Sequence, residues 1–198
     1  MEWEGFSEKV TDFVGQIFGI KDKSKSIGTR FVQYIHKSRC NKPCEDCVFN
    51  DARVFESDDM YLPKVGNDNH YNCDCDYMAV QVKKVGTISK MGLNAPDVHL
   101  KAYGRLPEYY ITKREAQEVY GWKNGKNTIL GKAPGKMLGG DVYRNECKKL
   151  PIKEGRIWYE CDVDYDTLKR NSYRLFYSND GLMFYSDDHG QKNFYFVD

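Results

Sequence analysis

Hydrophobic positions recur with two different periods along the chain. Between residues 6 and 18 the apolar side chains lie three or four positions apart, which predicts an amphipathic helix, and a second short helix is predicted over 27–37. After residue 155 apolar and polar residues alternate instead, which is typical of strands with one buried face. This alternation predicts three antiparallel strands: 156–163, 173–178 and 182–187. The Asn-Asp-Gly triplet at 179–181 is suited to the hairpin turn between the last two.

The middle of the chain carries helix and loop signals. Residues 77–83 begin like a strand, and 95–103 predicts a helix that ends before Gly104. Thr112 and Glu115 form a capping box, so 113–120 is predicted to be a helix. The glycine-rich stretch between this helix and residue 151 is predicted to be loop. We therefore expect an α+β fold. A C-terminal antiparallel sheet should pack on the helices that precede it, behind a small helical, cysteine-rich domain.

Composition favours a folded protein without a strong charge bias. The 198 residues include 15 Tyr and 10 Phe, and the formal net charge is +1. Such aromatic content is typical of sheets, and the near-neutral balance gives no global basic footprint for nucleic acid. No segment has the apolar length of a membrane span, and the acidic start does not resemble a signal peptide. We expect no membrane partner.

Five of the seven cysteines fall between residues 40 and 75. Cys44 and Cys47 have the spacing of a zinc knuckle, and Cys73 and Cys75 offer a second pair. His70 and Cys40 are alternate ligands. A structural zinc ion is the favoured interpretation, since it would staple a segment with few apolar residues. Disulfides and reduced thiols remain open alternatives, because Cys-x-Cys is tighter than the usual zinc spacing.

The same segment resembles the C-terminal part of phage head-morphogenesis (minor head) proteins. The likeness rests on "CNKPCEDCVFNDARVF" and "LPKVGNDNHYNCDCDYMAV", which together cover about 40 residues. It implies a phage-type adaptor or delivery module. We therefore predict two domains, with residues 1–94 as this module and residues 95–198 as the catalytic part.

The strand region also carries charged residues that a sheet does not need. Glu160, Arg170, Arg174 and His189 could meet on one face of adjacent antiparallel strands. A carboxylate, an imidazole and two guanidinium groups are what a metal-free ribonuclease requires. They supply a base for the ribose 2′-OH, an acid for the leaving 5′-oxygen and fixed cations for the phosphorane-like transition state. The competing interpretation is a set of surface charges that pair across strands.

The order and spacing of the motifs around these four residues favour the ribonuclease interpretation. Residues 96–194 resemble the barnase-like, guanyl-preferring bacterial ribonucleases. The motifs that carry the resemblance are "LPEYYITKREAQEVYGW", "APGKMLGGDVYRNECKKLP", "GRIWYECDVDY", "RNSYRLFYSNDGLMFY" and the "DH" pair. They align with almost no gaps over half of the chain.

The resemblance implies a role for each matching residue. Glu160 matches the general base, His189 the general acid, Arg170 and Arg174 the phosphate-binding arginines, and Lys113 the lysine that stabilises the transition state. In supporting roles, Asp141 matches a buried aspartate that braces this lysine and an arginine, and Arg156 with Asp180 matches a structural ion pair. The base-recognition loop corresponds to Tyr143, Arg144, Asn145 and Glu146.

Two positions depart from the family pattern. Cys147 stands where the family has the glutamate that grips guanine, and a thiol cannot accept two N–H bonds as a carboxylate does. Glu146 could replace it after a slip of one residue. Gly190 stands where the family has a tyrosine that stacks on the substrate. We expect catalysis to persist with relaxed base preference and weaker stacking.

These observations predict an RNA endonuclease that needs no catalytic cofactor and leaves a 2′,3′-cyclic phosphate. The accompanying expectations are a toxin, delivered or secreted to act in a target-cell cytoplasm or associated with phage, and an acidic, barstar-like immunity protein as partner. The alternative is a minor virion protein whose barnase-like domain is inactive or only binds RNA. A zinc-dependent deaminase or nuclease that uses the cysteine cluster fits less well, because the cysteines lack a His-x-Glu neighbour.

Overall fold

The computed structural model describes residues 29–37, 43–164 and 170–198. Within these ranges the chain has an α+β fold dominated by strands, as predicted. Its helices are short: α1 (Glu45–Asn50), α2 (Pro96–Tyr103), α3 (Lys113–Glu118) and α4 (Ile129–Lys132). The strands before α2 are β1 (Phe31–His36), β2 (Val54–Glu56), β3 (Cys75–Ala79) and β4 (Val82–Lys83). Those after it are β5 (Tyr110–Ile111), β6 (Met137–Tyr143), β7 (Trp158–Asp162), β8 (Arg174–Ser178), β9 (Met183–Ser186) and β10 (Tyr195–Val197). No helix in the described ranges has the length and apolarity to cross a bilayer.

A three-stranded antiparallel sheet precedes α2, in the order β2-β1-β3. The helix predicted over 27–37 is wrong, since Phe31–His36 is the central strand of this sheet. Val32 pairs with Phe55 on one side and with Ala79 on the other. A strand that is covered on both faces has a nearly continuous apolar run, which short sequences share with buried helices. The helix predicted over 6–18 lies outside the described residues.

The second sheet has seven strands in the order β4-β10-β9-β8-β7-β6-β5. Its centre is the antiparallel set predicted from the alternating pattern, and residues 179–181 form the predicted turn. The structure adds β6, which the sequence analysis had assigned to loop because of its glycines. Gly139 is required there, because a Cβ would come within 2.5 Å of the Cys161 Cβ atom. The following residue, Gly140 (φ +90°), is the extra residue of a β-bulge that shifts the register between β6 and β7.

The predicted helices before β6 are confirmed in place. Pro96 begins α2, and Gly104 ends it in the left-handed conformation (φ +67°). The Thr112 hydroxyl accepts the Glu115 backbone N–H (3.1 Å), so the predicted cap starts α3. A buried cluster that includes Leu175 and Met183 has Leu100 of α2 packed against it. The helix therefore covers one face of the larger sheet.

The two sheets share apolar packing on the opposite face. Phe31 lies with its ring centroid 5.0 Å from that of Phe184 and 4.7 Å from that of Phe196. Val54 and Val80 belong to the same buried cluster, which also contains Trp158. In addition, β4 pairs with β10 in the larger sheet. The division between residues 94 and 95 stays a prediction, but the residues on either side of it are packed together.

Candidate active site

Strand register brings the candidate base and one candidate phosphate-binding arginine to one face of the larger sheet. Glu160 on β7 lies opposite Asp141 on β6 and opposite Phe176 on β8. One rung further along the same face, Asp162 lies opposite Arg174. The alternation of side chains therefore places the candidate base and an arginine in neighbouring cross-strand pairs on the same face of the sheet.

Lys113 connects the helix layer to the candidate base. Its Nζ atom lies 2.5 Å from Oε1 of Glu160, in an ion pair that is partly exposed to solvent. Its backbone N–H, at the start of α3, donates to the Asp141 carboxylate at 3.0 Å. The half-buried Asp141 thus fixes the beginning of the helix, and the helix carries the ammonium group to Glu160. In the structure the Asp141 carboxylate accepts a hydrogen bond from the Lys113 backbone N–H, whereas the resemblance implies that it supports the lysine and an arginine.

Asp162 organises both arginines and was assigned no role from the sequence. Its carboxylate accepts Nε and Nη2 of Arg170, both at 2.7 Å, and Nε of Arg174 lies 3.2 Å from Oδ1. The side chains of Asp162 and Arg174 are 1% and 2% exposed. A bidentate contact of this kind fixes the plane of a guanidinium group. The sequence does carry one signal for Asp162: it lies two residues after Glu160 on the same strand, so the two side chains share a face.

Arg174 keeps one unused donor. Its Nη2 atom is buried and has no hydrogen-bond partner within the part of the chain that the structure describes. Leaving a buried N–H group of a cation unpaired costs free energy, so such a group favours an anion as its partner. The arrangement is suited to a phosphoryl oxygen.

His189 lies in the connection between β9 and β10, on a strained backbone. Its φ of +63° is unusual for a residue with a side chain, and its backbone N–H is held by the Ser172 carbonyl at 3.0 Å. The Asp188 carboxylate shapes this turn, since it accepts the backbone N–H groups of the three residues at 191–193. Burial lowers the pKa of His189, and the two nearby arginine charges lower it further.

Asn145 joins the two ends of the candidate recognition loop. Its side chain donates to the Leu150 carbonyl (2.9 Å) and accepts the Leu150 N–H (3.1 Å), while its own φ is +49°. Tyr143 packs its ring 4.6 Å from Phe176, and burial raises its pKa to about 12. Arg144 and Glu146 are exposed and form an ion pair with each other at 3.5 Å.

The two departures from the family pattern have different surroundings. Cys147 is exposed in the recognition loop. Gly190 is enclosed, because a Cβ on it would come within 2.7 Å of Cζ of Phe176. Its φ of +74° also disfavours a side chain. A tyrosine therefore does not fit at Gly190 with Phe176 in its present position.

The cysteine-rich part of the chain contacts the candidate recognition loop, residues 143–150, directly. The backbone N–H of Val54 donates to the Lys149 carbonyl (2.7 Å), and Nε of Arg53 donates to the Lys148 carbonyl (3.0 Å). In the opposite direction, the Lys149 ammonium donates to the Asp51 carbonyl. No sequence signal indicated these contacts, since they join residues almost a hundred positions apart.

Arg156 makes a second connection between the two parts of the chain. It forms the ion pair with Asp180 that the resemblance implied (2.8 Å), and the same nitrogen lies 3.0 Å from Glu56 on β2. The Arg156 side chain is only 3% exposed. It ties the turn between β8 and β9 to the smaller sheet.

The predicted metal ligands converge behind the smaller sheet. Cys44, Cys47 and His70 form one group of close ligand atoms, and Cys47, Cys73 and Cys75 form a second, with all atoms of a group within 4.8 Å of one another. Sγ of Cys47 lies 3.3 Å from Sγ of Cys44, 3.3 Å from Nε2 of His70 and 3.9 Å from Sγ of Cys73. No disulfide joins any of these four cysteines to another described residue. Cys40 lies outside the described residues.

A carboxylate and a buried arginine on one face of an antiparallel sheet, with a second arginine and a histidine on adjoining loops, are the groups of a class of enzyme, the endoribonucleases of the barnase-like type. A family model described as ribonuclease matches residues 96–198, and the chain belongs to this family.

Curated ribonucleases are similar over the same part of the chain. A ribonuclease from Heyndrickxia coagulans is 44% identical over 91 residues, which cover 46% of this chain and 83% of that protein. Ribonucleases from Bacillus intermedius and Bacillus pumilus are each 44% identical over 91 residues, which cover 46% of this chain and 56% of theirs. The chain thus spans little more than half the length of the two Bacillus relatives.

Proposed function

We propose that residues 96–198 cleave RNA by intramolecular attack of a ribose 2′-OH. Glu160 removes the proton from this hydroxyl, and the oxygen attacks the adjacent phosphorus. His189 protonates the 5′-oxygen as its bond to phosphorus breaks, which leaves a 2′,3′-cyclic phosphate and a free 5′-OH. The observation that carries the proposal is the buried Nη2 of Arg174, which has no hydrogen-bond partner among the described residues and lies on the strand pair that carries Glu160.

The cations of the site stabilise the charge that develops during attack. Arg170 and Arg174 are held in fixed orientations by Asp162, so they can receive phosphoryl oxygens without reorganising. Lys113 orients the Glu160 carboxylate through their 2.5 Å ion pair and adds a further positive charge. The Asp141 carboxylate keeps Lys113 in place by accepting the Lys113 backbone N–H.

Substitution of the acid and the base tests this mechanism. Glu160→Gln and His189→Ala are each expected to lower kcat/KM for a dinucleotide by about 100-fold or more, the usual scale for a positioned proton-transfer group. Glu154→Gln, which changes an exposed carboxylate on the loop before β7, is the matched control. The cyclic phosphate product is identified by mass spectrometry. Near wild-type rates in both variants would contradict the assigned roles.

The cysteine cluster fits a structural zinc ion. Ligands at 2.3 Å in a tetrahedron lie about 3.8 Å apart, close to the separations of 3.3–3.9 Å around Cys47. Cys44, Cys47, Cys73 and Cys75 would hold the ion, with His70 as the alternate donor. Its chemistry there is structural, because it would crosslink α1, the 70–73 turn and β3.

Metal analysis separates zinc from the alternatives. The purified protein should contain about one zinc ion per chain, and Cys47→Ser should lose it, because Cys47 belongs to both ligand groups. Cys147→Ser is the control, since Cys147 is exposed and lies outside them. Two disulfides or four metal-free thiols by mass spectrometry would contradict the assignment. RNA cleavage should resist EDTA as long as circular dichroism shows an intact fold.

We further propose that the enzyme acts as a toxin in the cytoplasm of a target cell and is neutralised by an acidic, barstar-like immunity protein. Carboxylates of such an inhibitor would take the place of phosphoryl oxygens at Arg170 and Arg174. Expression of the full chain in bacteria should stop growth, whereas expression of Glu160→Gln should not. Equal growth with both would contradict the toxin role.

A further inference from the structure

An exposed aromatic ring borders the recognition loop. Phe49 on α1 is 49% exposed, and its neighbour Val48 is 58% exposed, while α1 buries Cys47 and Asn50. Two cations flank the ring. The guanidinium carbon of Arg53 lies 4.8 Å from its centroid, and the ammonium nitrogen of Lys148 lies 5.7 Å away. The helix thus leaves a half-exposed ring at the surface with two positive charges against it.

The position of this ring relative to the recognition loop is fixed by hydrogen bonds. Lys148 is part of the loop, since its backbone N–H donates to the Asn145 carbonyl at 2.8 Å. Arg53 donates to the Lys148 carbonyl with Nε and to the Asn50 side chain with Nη1 (2.6 Å). The ring, the two cations and the loop therefore form one continuous surface.

Further positive charges lie beside this surface. The Lys149 ammonium contacts the Asp51 carbonyl, and Lys192, whose side chain is 72% exposed, lies 3.5 Å from the Asp51 carboxylate. Asp51 thus contacts two lysines, and Glu45 and Asp46 add acidic charge at the start of α1. The lysines and Arg53 place cations next to the recognition loop, where they could contact a phosphate backbone.

We infer that Phe49, Arg53 and Lys148 form a subsite for a nucleotide of single-stranded RNA on the 5′ side of the cleaved bond. Single-stranded nucleic acid is bound by aromatic rings on which bases stack and by cations that follow the backbone, and this surface supplies both. The assignment rests on the proposed function. The nucleotide held by the recognition loop provides the attacking 2′-OH, and its 3′-phosphate faces the arginines. The strand on its 5′ side therefore leaves past the loop, where Phe49 lies.

The subsite is tested by comparing substrates of different length in the full chain. Three substrates share the same cleaved step: a dinucleotide, the dinucleotide extended by three nucleotides on the 5′ side, and the dinucleotide extended by three on the 3′ side. The wild type should prefer the 5′-extended substrate, and Phe49→Ala should lose that preference. The expected loss in the ratio of kcat/KM values is about fivefold to hundredfold, the usual scale for one stacked base.

Two further variants fix the interpretation. Phe49→Trp keeps a stacking ring and should keep the preference for the 5′-extended substrate. Tyr103→Ala, which removes an exposed ring from α2, should change none of the three substrates. An equal loss on all substrates would show that Phe49 acts through the loop and would overturn the inference. A loss confined to the 3′-extended substrate would also overturn it.

A binding measurement keeps this inference separate from the catalytic proposal. A 5′-extended oligonucleotide with a 2′-deoxyribose at the cleavage step cannot be cleaved, so its affinity is measured by fluorescence anisotropy. Weaker binding by Phe49→Ala, with rescue in Phe49→Trp, supports the subsite even if no substrate is cut. Equal binding by all three proteins contradicts it.

Discussion

Asp162→Asn tests whether a buried charge network supports the phosphate-binding arginines. The carboxylate uses both oxygens for Arg170 at 2.7 Å and also lies 3.2 Å from Arg174, whose side chain is 2% exposed. Asparagine has nearly the same shape but presents an NH₂ group where one oxygen accepts a guanidinium N–H. The substitution therefore breaks one hydrogen bond and leaves a buried cation without its counter-charge.

The expected loss of unfolding free energy is about 3–5 kcal/mol, the scale for breaking a buried ion pair on one side. For a typical stability of about 5–15 kcal/mol this is a large fraction. Since urea slopes are about 1–3 kcal/mol per molar for small proteins, the midpoint should fall by about 2 M. Tryptophan fluorescence and circular dichroism measure the transition. Asp198→Asn is the control, because its pair with Lys101 has both side chains more than half exposed and should contribute about 1 kcal/mol or less.

Added phosphate provides a second reading of the same variant. An anion that binds Arg174 would replace part of the missing charge, so phosphate should stabilise Asp162→Asn more than it stabilises the wild type. A loss of stability no larger than that of Asp198→Asn would refute the reasoning. So would a phosphate effect equal in the two proteins.

Three further predictions concern catalysis, packing and base preference. Because the pKa of His189 is lowered by burial and by adjacent arginine charges, kcat/KM should decrease as the pH rises through a value below pH ~6.5, where the acid loses its proton. The corresponding decrease in kcat should occur at a higher pH, since bound phosphate offsets those charges, and a decrease in kcat/KM centred above pH ~6.5 would contradict this. Gly190→Ala should destabilise the fold by about 1–3 kcal/mol more than Gly135→Ala in urea unfolding, because both have a positive φ but only Gly190 contacts Phe176, and equal losses would show that the contact is relieved. Cys147→Glu should raise the ratio of GpU to ApU cleavage by about tenfold to hundredfold by restoring a bidentate acceptor, and an unchanged ratio would show that the loop recognises guanine by other groups.

The sequence predicted most reliably what depends on local pattern. The strands at 158–162, 174–178 and 183–186 follow from alternation, and α3 follows from its cap. The prediction of a helix at β1 is wrong, because a central strand buried on both faces does not alternate. Strand β6 was taken for loop, because its glycines serve close packing and a bulge rather than turns.

The sequence predicts the candidate catalytic residues of the site but not the residues that hold them in position. Glu160 and Arg174 stand out as charges within apolar strands. Asp162 does as well, but its role depends on the register of β7 against β8, which one strand does not reveal. The contacts of Arg53 and Val54 with the recognition loop join distant segments and leave no periodic signal. Long-range contacts of this kind are set by tertiary packing rather than by local propensity.

The apolar cluster shared by the two sheets limits how the ribonuclease can be transplanted. A protein engineer who fused residues 96–198 alone to another carrier would remove Phe31, Val54 and Val80 from the rings of Phe184 and Phe196. The excised segment would present an apolar patch next to a sheet edge that has lost β4 as its neighbour. Uncovered edges of this kind pair with other chains, so the fragment would tend to aggregate even with every catalytic side chain present. A useful cassette for such fusions begins at or before residue 29.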